Sequence, residues 1–162
     1  MRAESFAPAK IRQFLSQYDR NLDLVASAYN QILNQHLPLR GPQGKIVGQL
    51  PLERRRSRLG KLHKTIRKLE MHPDDLVLAL TLQDQTEALL DDVEDASQIA
   101  FDNDYEEAGL QLSHLQIPLG HDEQIIEEYT FQLARAAQVN LRKFRSDHQE
   151  SGRVSSKIHS EN

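Results

Sequence analysis

Residues 8–36 read PAKIRQFLSQYDRNLDLVASAYNQILNQH, and this stretch decides the fold class. Ile11, Leu15, Tyr18, Leu22, Val25, Tyr29 and Ile32 follow one another at alternating spacings of four and three. That alternation is the seam of a helix packed on neighbouring helices, whereas a strand repeats every two residues. Phe14, Ala28 and Leu33 widen the seam into the broader stripe of a globular bundle helix. Pro8 suits a first helical turn, and Leu37, which precedes Pro38, is pushed out of the α region. The spacing therefore predicts one helix over 8–36.

Pro38, Gly41, Pro42, Gly44, Gly48 and Pro51 punctuate the next stretch, which predicts a long loop over 37–53 with a short extended piece at 45–47. The fragments Leu-Pro-Leu at 37–39 and 50–52, and Ile-Pro-Leu at 117–119, read as apolar plugs at helix entrances and exits. A second helix is expected over 54–71, with Leu59, Leu62, Ile66 and Leu69 inward. His72-Pro73-Asp74-Asp75 is a restart signal, Pro in the first turn and acids at the positive end of the helix dipole. The third helix, 73–101, begins apolar nearly all round (Leu76, Val77, Leu78, Leu80, Leu82) and should fill the bundle centre there. Later it keeps only the stripe Leu89, Val93, Ala96 and Ala100.

Residues 102–121 read equally as a loop or as a short fifth helix near 104–116, ended by Pro118 and Gly120. The last helix is expected over 122–146, with Ile126, Tyr129, Leu133, Ala137, Leu141 and Phe144 as its core, and a polar tail over 147–162. The expectation is an all-α fold: a four-helix, mostly antiparallel bundle in one domain over 1–146. At 162 residues the chain is long enough to remove about two-thirds of its unfolded surface from water.

Cysteine is absent, which excludes disulfide frameworks, thiolate metal sites and cysteine nucleophiles. No run approaches the roughly 18 apolar residues that span a bilayer, and the first residues lack the apolar core of a signal peptide. A cytoplasmic protein that does not enter the membrane is the expectation.

The net charge of −4 conceals a sorting of charge along the chain. Residues 69–134 contain no lysine or arginine, yet carry seventeen of the 24 acids; residues 40–68 hold ten of the 20 bases and one acid, Glu53. Arg40, Lys45, Arg54, Arg55, Arg56, Arg58, Lys61 and Lys64 form the candidate partner- or polyanion-binding set. Glu87, Asp91, Asp92, Glu94 and Asp95 form the candidate acidic docking face. A tight turn at His72-Pro73 would fold the basic helix back on the acidic one and set Arg54, Arg55, Arg56 and Arg58 opposite Glu87 to Asp95. Exposed ion pairs contribute only about 0–1 kcal/mol each, so segregation on this scale fits the choice of a partner better than stability.

The first reading is a non-catalytic interaction or assembly protein that docks on itself, as a homo-oligomer, or on a protein partner. The alternative is a nucleic-acid-binding module, since a cationic helix releases counterions from phosphates; residues 40–68 contain no aromatic to stack on bases. An acidic surface that mimics nucleic acid is a further reading of the 69–134 segment.

No metal site, cofactor or catalytic residue is expected. Asp102-Asn103-Asp104 starts like a calcium loop, but Glu107 stands where glycine is required and Ser113 where a bidentate glutamate is required. His114 and His121 have no metal-ligand spacing, and Asp91, Asp92 and Asp95 offer at most loose divalent binding. His63 between Lys61 and Lys64 invites a phosphotransfer reading, although any exposed histidine on a basic helix looks alike. No phosphate loop, nucleophile elbow or zinc-protease motif occurs, and nothing argues for an enzyme.

Overall fold

The computed structural model describes residues 8–41 and 43–147, and most of these are helical. The helices are α1 (Pro8–Leu33), α2 (Leu50–Met71), α3 (Leu76–Asp102) and α4 (Glu106–Ala136), followed by a short α5 over 141–147. Residues 1–7 and the polar tail expected beyond 147 lie outside the described residues. The expected all-α bundle is the observed one. α1 packs on α2 and α4, and α3 packs on the same two, so the helices run round a square with α2 and α4 on opposite corners.

Side-chain ties show each neighbour running antiparallel. Arg12 donates to the Glu70 carbonyl at 2.9 Å, and Arg56 donates to Asn30 at 2.9 Å, which orders α2 against α1. Asn21 donates to Asp122 at 2.8 Å and Gln31 to Gln111 at 3.4 Å, which orders α4 against α1. Arg55 reaches Asp95 and Arg58 reaches Asp92 across the α2–α3 seam.

The predicted seam of α1 is the spine of the core: Ile11, Leu15, Tyr18, Leu22, Val25, Tyr29 and Ile32 are all buried. They meet Leu59, Leu62, Ile66 and Leu69 of α2, Leu82, Leu89 and Val93 of α3, and Leu112, Leu119 and Ile126 of α4. One buried polar layer crosses this interior. Tyr18 and Thr86 share a hydrogen bond of 2.7 Å, and the Asn21–Asp122 bond lies one turn further along α1. A buried polar pair is satisfied in only one alignment of its helices, so this layer fixes the register of α1, α3 and α4.

The long loop is ordered by its own bonds. Asn103, in the α3–α4 turn, accepts from the Arg40 backbone nitrogen at 2.9 Å and donates to the Arg40 carbonyl at 3.0 Å. Arg40 and Ile46 form an isolated antiparallel bridge, the trace of the extended piece expected at 45–47. Gln49 donates to the carbonyls of Leu33 and Leu37, closing the loop at its base.

Five boundaries differ from expectation. α1 ends at Leu33, not 36, because His36 takes a left-handed backbone with φ of 54°. α2 begins at Leu50, not Arg54, because Pro51 occupies its first turn, where the missing N–H costs nothing. α3 begins at Leu76 behind the Asp75 cap, whose side chain accepts from the Leu78 nitrogen at 3.1 Å. The stretch 102–121 is neither a loop nor a separate helix: α4 runs from Glu106 through Pro118 and Gly120 to Ala136. Conversely, the helix expected over 122–146 breaks at Gln138, with φ of 57°, and Asn140 restarts it by accepting from the Lys143 nitrogen at 3.1 Å. Ala137, expected in the core, is exposed at that break. Val77 is also exposed, so the start of α3 is not fully enclosed.

The plugs behave alike at all three sites. The residue after each proline, Leu39, Leu52 or Leu119, is buried, and the residue before it, Leu37, Leu50 or Ile117, is exposed. α3 and α4 pack tightly at Gly109. A Cβ there would stand 2.9 Å from the Phe101 ring, and Ser97 donates to the Gly109 carbonyl at 3.0 Å.

Candidate interaction surface

The basic set splits into three groups. Arg55 and Arg58 are spent inside the chain. Arg58 donates from Nε and Nη2 to the two oxygens of Asp92, both at 2.7 Å. Arg55 donates to Asp95 at 3.2 Å and lies 3.8 Å from Asp92. Asp92 is buried, and its charge raises the Arg58 pKa further, the hydrogen bond outweighing the opposing effect of burial. The bidentate pair is the strong form of charge-assisted bond.

Arg40 and Arg56 are held by neutral partners. Arg40 donates to the Gly44 carbonyl at 3.2 Å and belongs to the loop at one end of the bundle, with Lys45 exposed beside it. Arg56 is turned toward α1 by Asn30. Arg54, Lys61 and Lys64 remain. Together with Arg67 and Lys68, which the charge pattern did not single out, they are exposed and have no ion-pair or hydrogen-bond partner among the described residues.

The acidic set divides in the same way. Asp92 and Asp95 face α2, whereas Glu87, Asp91 and Glu94 are exposed. Glu87 borders a shallow groove between α3 and α4 with Gln83, Glu127, Glu128 and Phe131, over which α5 lies. Arg145 of α5 donates to Asp84 at 2.7 Å, a tie that sequence reasoning missed because the helix break before it was invisible. Glu123 has its pKa raised, first by burial and then by the charges of Glu87, Glu127 and Asp91. Glu87, Asp91, Glu123 and Glu127 thus bring negative charge together on the α3–α4 side.

Asp122 has its pKa raised by burial, which outweighs the Asn21 bond and the nearby His121. The sign is then fixed. A carboxyl that is more basic in the folded chain destabilises the fold above its folded pKa. The penalty fades as pH falls from that value toward the ordinary carboxylate range. Asp122→Asn keeps an acceptor for Asn21, so it should raise the melting temperature at neutral pH. The difference from the wild type should shrink on acidification. Melting both chains from pH 7 to pH 4 checks this, and a gap that stays constant or grows on acidification contradicts it.

His63 does not fit phosphotransfer. Its Nδ1 is hydrogen-bonded to Asp19 and its Nε2 lies 3.8 Å from Asp23, so both ring nitrogens face carboxylates that would repel an incoming phosphoryl group. Asp19 and Asp23 stand one turn apart on α1, a spacing visible in the sequence. Among the described residues no cluster of three or more His, Asp or Glu could hold a metal ion, and no helix is long and apolar enough to cross a membrane.

α2 and α3 present two rows beside each other. Leu50, Arg54, Ser57, Lys61, Lys64, Lys68 and Met71 recur at four and three along α2, and every one is exposed. On α3 the row is Val77, Thr81, Asp84, Ala88, Asp91, Asp95, Gln98 and Asp102, again all exposed. A small apolar notch separates the rows, lined by Lys61 and Leu62 from α2 and by Ala88 and Leu89 from α3. Compared with protein-family models, with curated proteins and with solved structures, the chain matches none.

Proposed function

We propose that this chain is a non-catalytic interaction module that docks through its charge-sorted faces, the α2 ridge binding an acidic protein surface on another copy or on a partner. The observation that carries this reading is that Arg54, Lys61, Lys64, Arg67 and Lys68 have no counter-charge among the described residues, in a chain with 24 acids. Lys64 and Lys68 are four residues apart, and such like-charged pairs destabilise a helix by about 0.2–0.5 kcal/mol each. Folding alone gives no reason to keep that arrangement.

Nucleic acid is the second reading, because the same cations would neutralise phosphates. Against it stand Asp84, Asp91 and Asp95 on the adjacent ridge, which would repel a duplex laid on α2, and the absence of any aromatic from α2. The two separate in one experiment. The purified chain is sedimented at low and high salt, alone, with poly-glutamate and with a duplex oligonucleotide. Association with itself or with poly-glutamate should appear at low salt and vanish at high salt or with Lys61→Glu, Lys64→Glu. Oligonucleotide binding in place of both would favour the second reading. A chain that remains a monomer and binds neither probe at low salt would overturn both.

A further inference from the structure

The two rows on the α2–α3 face are complementary to each other rather than to themselves, and that restricts the symmetry by which a second copy can meet them. The α2 row carries Arg54, Lys61, Lys64 and Lys68 and no acid; the α3 row carries Asp84, Asp91, Asp95 and Asp102 and no base. Facing copies can be related by a twofold axis across the helices or along them. An axis across the helices, through the middle of this face, lays α2 on α2 and α3 on α3 when the rows are aligned, like charge on like. An axis parallel to the helices lays α2 of each copy on α3 of the other.

We infer that the α2–α3 face is the self-association surface of this protein, joining two copies about a twofold axis parallel to the bundle. This deepens the proposed function by naming the partner as a second copy.

The register follows without adjustment, because rotation about an axis along the helices leaves every residue at its own height. Within one chain the Arg55–Asp95 and Arg58–Asp92 bonds fix which residues of α2 and α3 are level. The same levels then apply between copies. Arg54 of each copy lies level with Asp95 of the other, Lys61 with Ala88 and Asp91, Lys64 with Asp84, and Met71 with Val77. All three charge contacts are made twice. Met71 and Val77, 73% and 44% exposed, bring apolar side chains together at one end. Asp84 and Asp95 already hold one arginine each, and their remaining lone pairs accept the second cation.

The size is adequate. Twenty-two residues of α2 extend for about 33 Å, and two adjacent helices give a face about 20 Å wide. That is about 650 Å² per copy, near the standard interface of about 800 Å² per partner. Ala88 keeps the α3 row low where the notch lies, opposite Lys61.

A charge exchange tests the symmetry directly. One variant carries Lys61→Glu and Lys64→Glu, the other Asp84→Lys and Asp91→Lys, all at exposed positions. At low salt the wild type should sediment at twice the 18.6 kDa chain mass. Each variant alone should fall to a monomer, since both of its contacts become repulsive. An equimolar mixture should regain the dimer, because α2 of either copy again meets α3 of opposite charge.

Lys64→Cys in one copy and Asp84→Cys in the other give an independent reading in a chain that has no native cysteine. The mixture should form an interchain disulfide on mild oxidation, faster than either alone. A dimer indifferent to both charge variants overturns the inference, as do open-ended oligomers, or a mixture that stays monomeric and uncrosslinked. A wild-type monomer that binds poly-glutamate overturns it while leaving the proposed function in place. A monomer that binds nothing removes both.

Discussion

Asp92→Ala should lower the unfolding free energy by about 3 kcal/mol, the low end of the range for breaking a buried ion pair by removing one partner. The carboxylate is buried in the α2–α3 seam and receives two 2.7 Å bonds from Arg58, with Arg55 at 3.8 Å. Alanine leaves Arg55, whose side chain is only 17% exposed, with Asp95 as its remaining counter-charge. Arg58 is 44% exposed and regains water, which is why the loss falls at the bottom of that range. Arg58→Ala should cost less, about 1–2 kcal/mol, because Arg55 still neutralises Asp92. Urea unfolding of the three chains measures both differences. An Asp92→Ala midpoint indistinguishable from wild type would mean that the seam is held by its apolar contacts alone. The register used for the twofold pairing would then lose its anchor.

Pro118→Ala should stabilise the chain by about 2 kcal/mol. A proline inside a helix removes the bond to the carbonyl four residues earlier, here that of His114, and its ring crowds that carbonyl, at a cost of about 3 kcal/mol. α4 continues through Pro118 for eighteen further residues, and Leu119 beside it is fully buried, so the cost is borne within a packed element. The expected gain is set below the full cost because alanine leaves the surrounding packing to readjust. For a chain of this size the change corresponds to a rise of about 4–8 °C in melting temperature. A fall instead would show that the α1–α4 packing depends on the geometry proline imposes.

Pro118 also marks where sequence reasoning failed. Proline and glycine two positions apart normally stop a helix, yet Leu112, Leu115, Leu119 and Ile126 keep one buried stripe across the interruption. Tertiary burial outweighed the local signal. The reverse happened at Gln138, where Leu133, Ala137, Leu141 and Phe144 keep helical spacing although the backbone turns left-handed. Periodicity cannot register one residue with positive φ. By contrast, the α1 seam was fully legible, because seven inward residues at unbroken spacing admit one structure.

The α2–α3 pairing was legible in outline, since a short turn forces two amphipathic helices antiparallel and brings Arg55 and Arg58 to Asp92 and Asp95. Which cations remain outside was not legible. Arg40 is drawn into the loop by Gly44 and Asn103, and Lys68 joins the ridge, through contacts that depend on three dimensions.

The clasp that Asn103 places on Arg40, with Gln49 closing on Leu33 and Leu37, sits behind a loop tip at 43–45 that is wholly exposed. Covalent continuity at that tip adds little to what holds α1 against the other helices. The first helix and the remaining four are thus natural halves. Made as separate polypeptides cut at the tip, they would have every buried surface needed to find each other again.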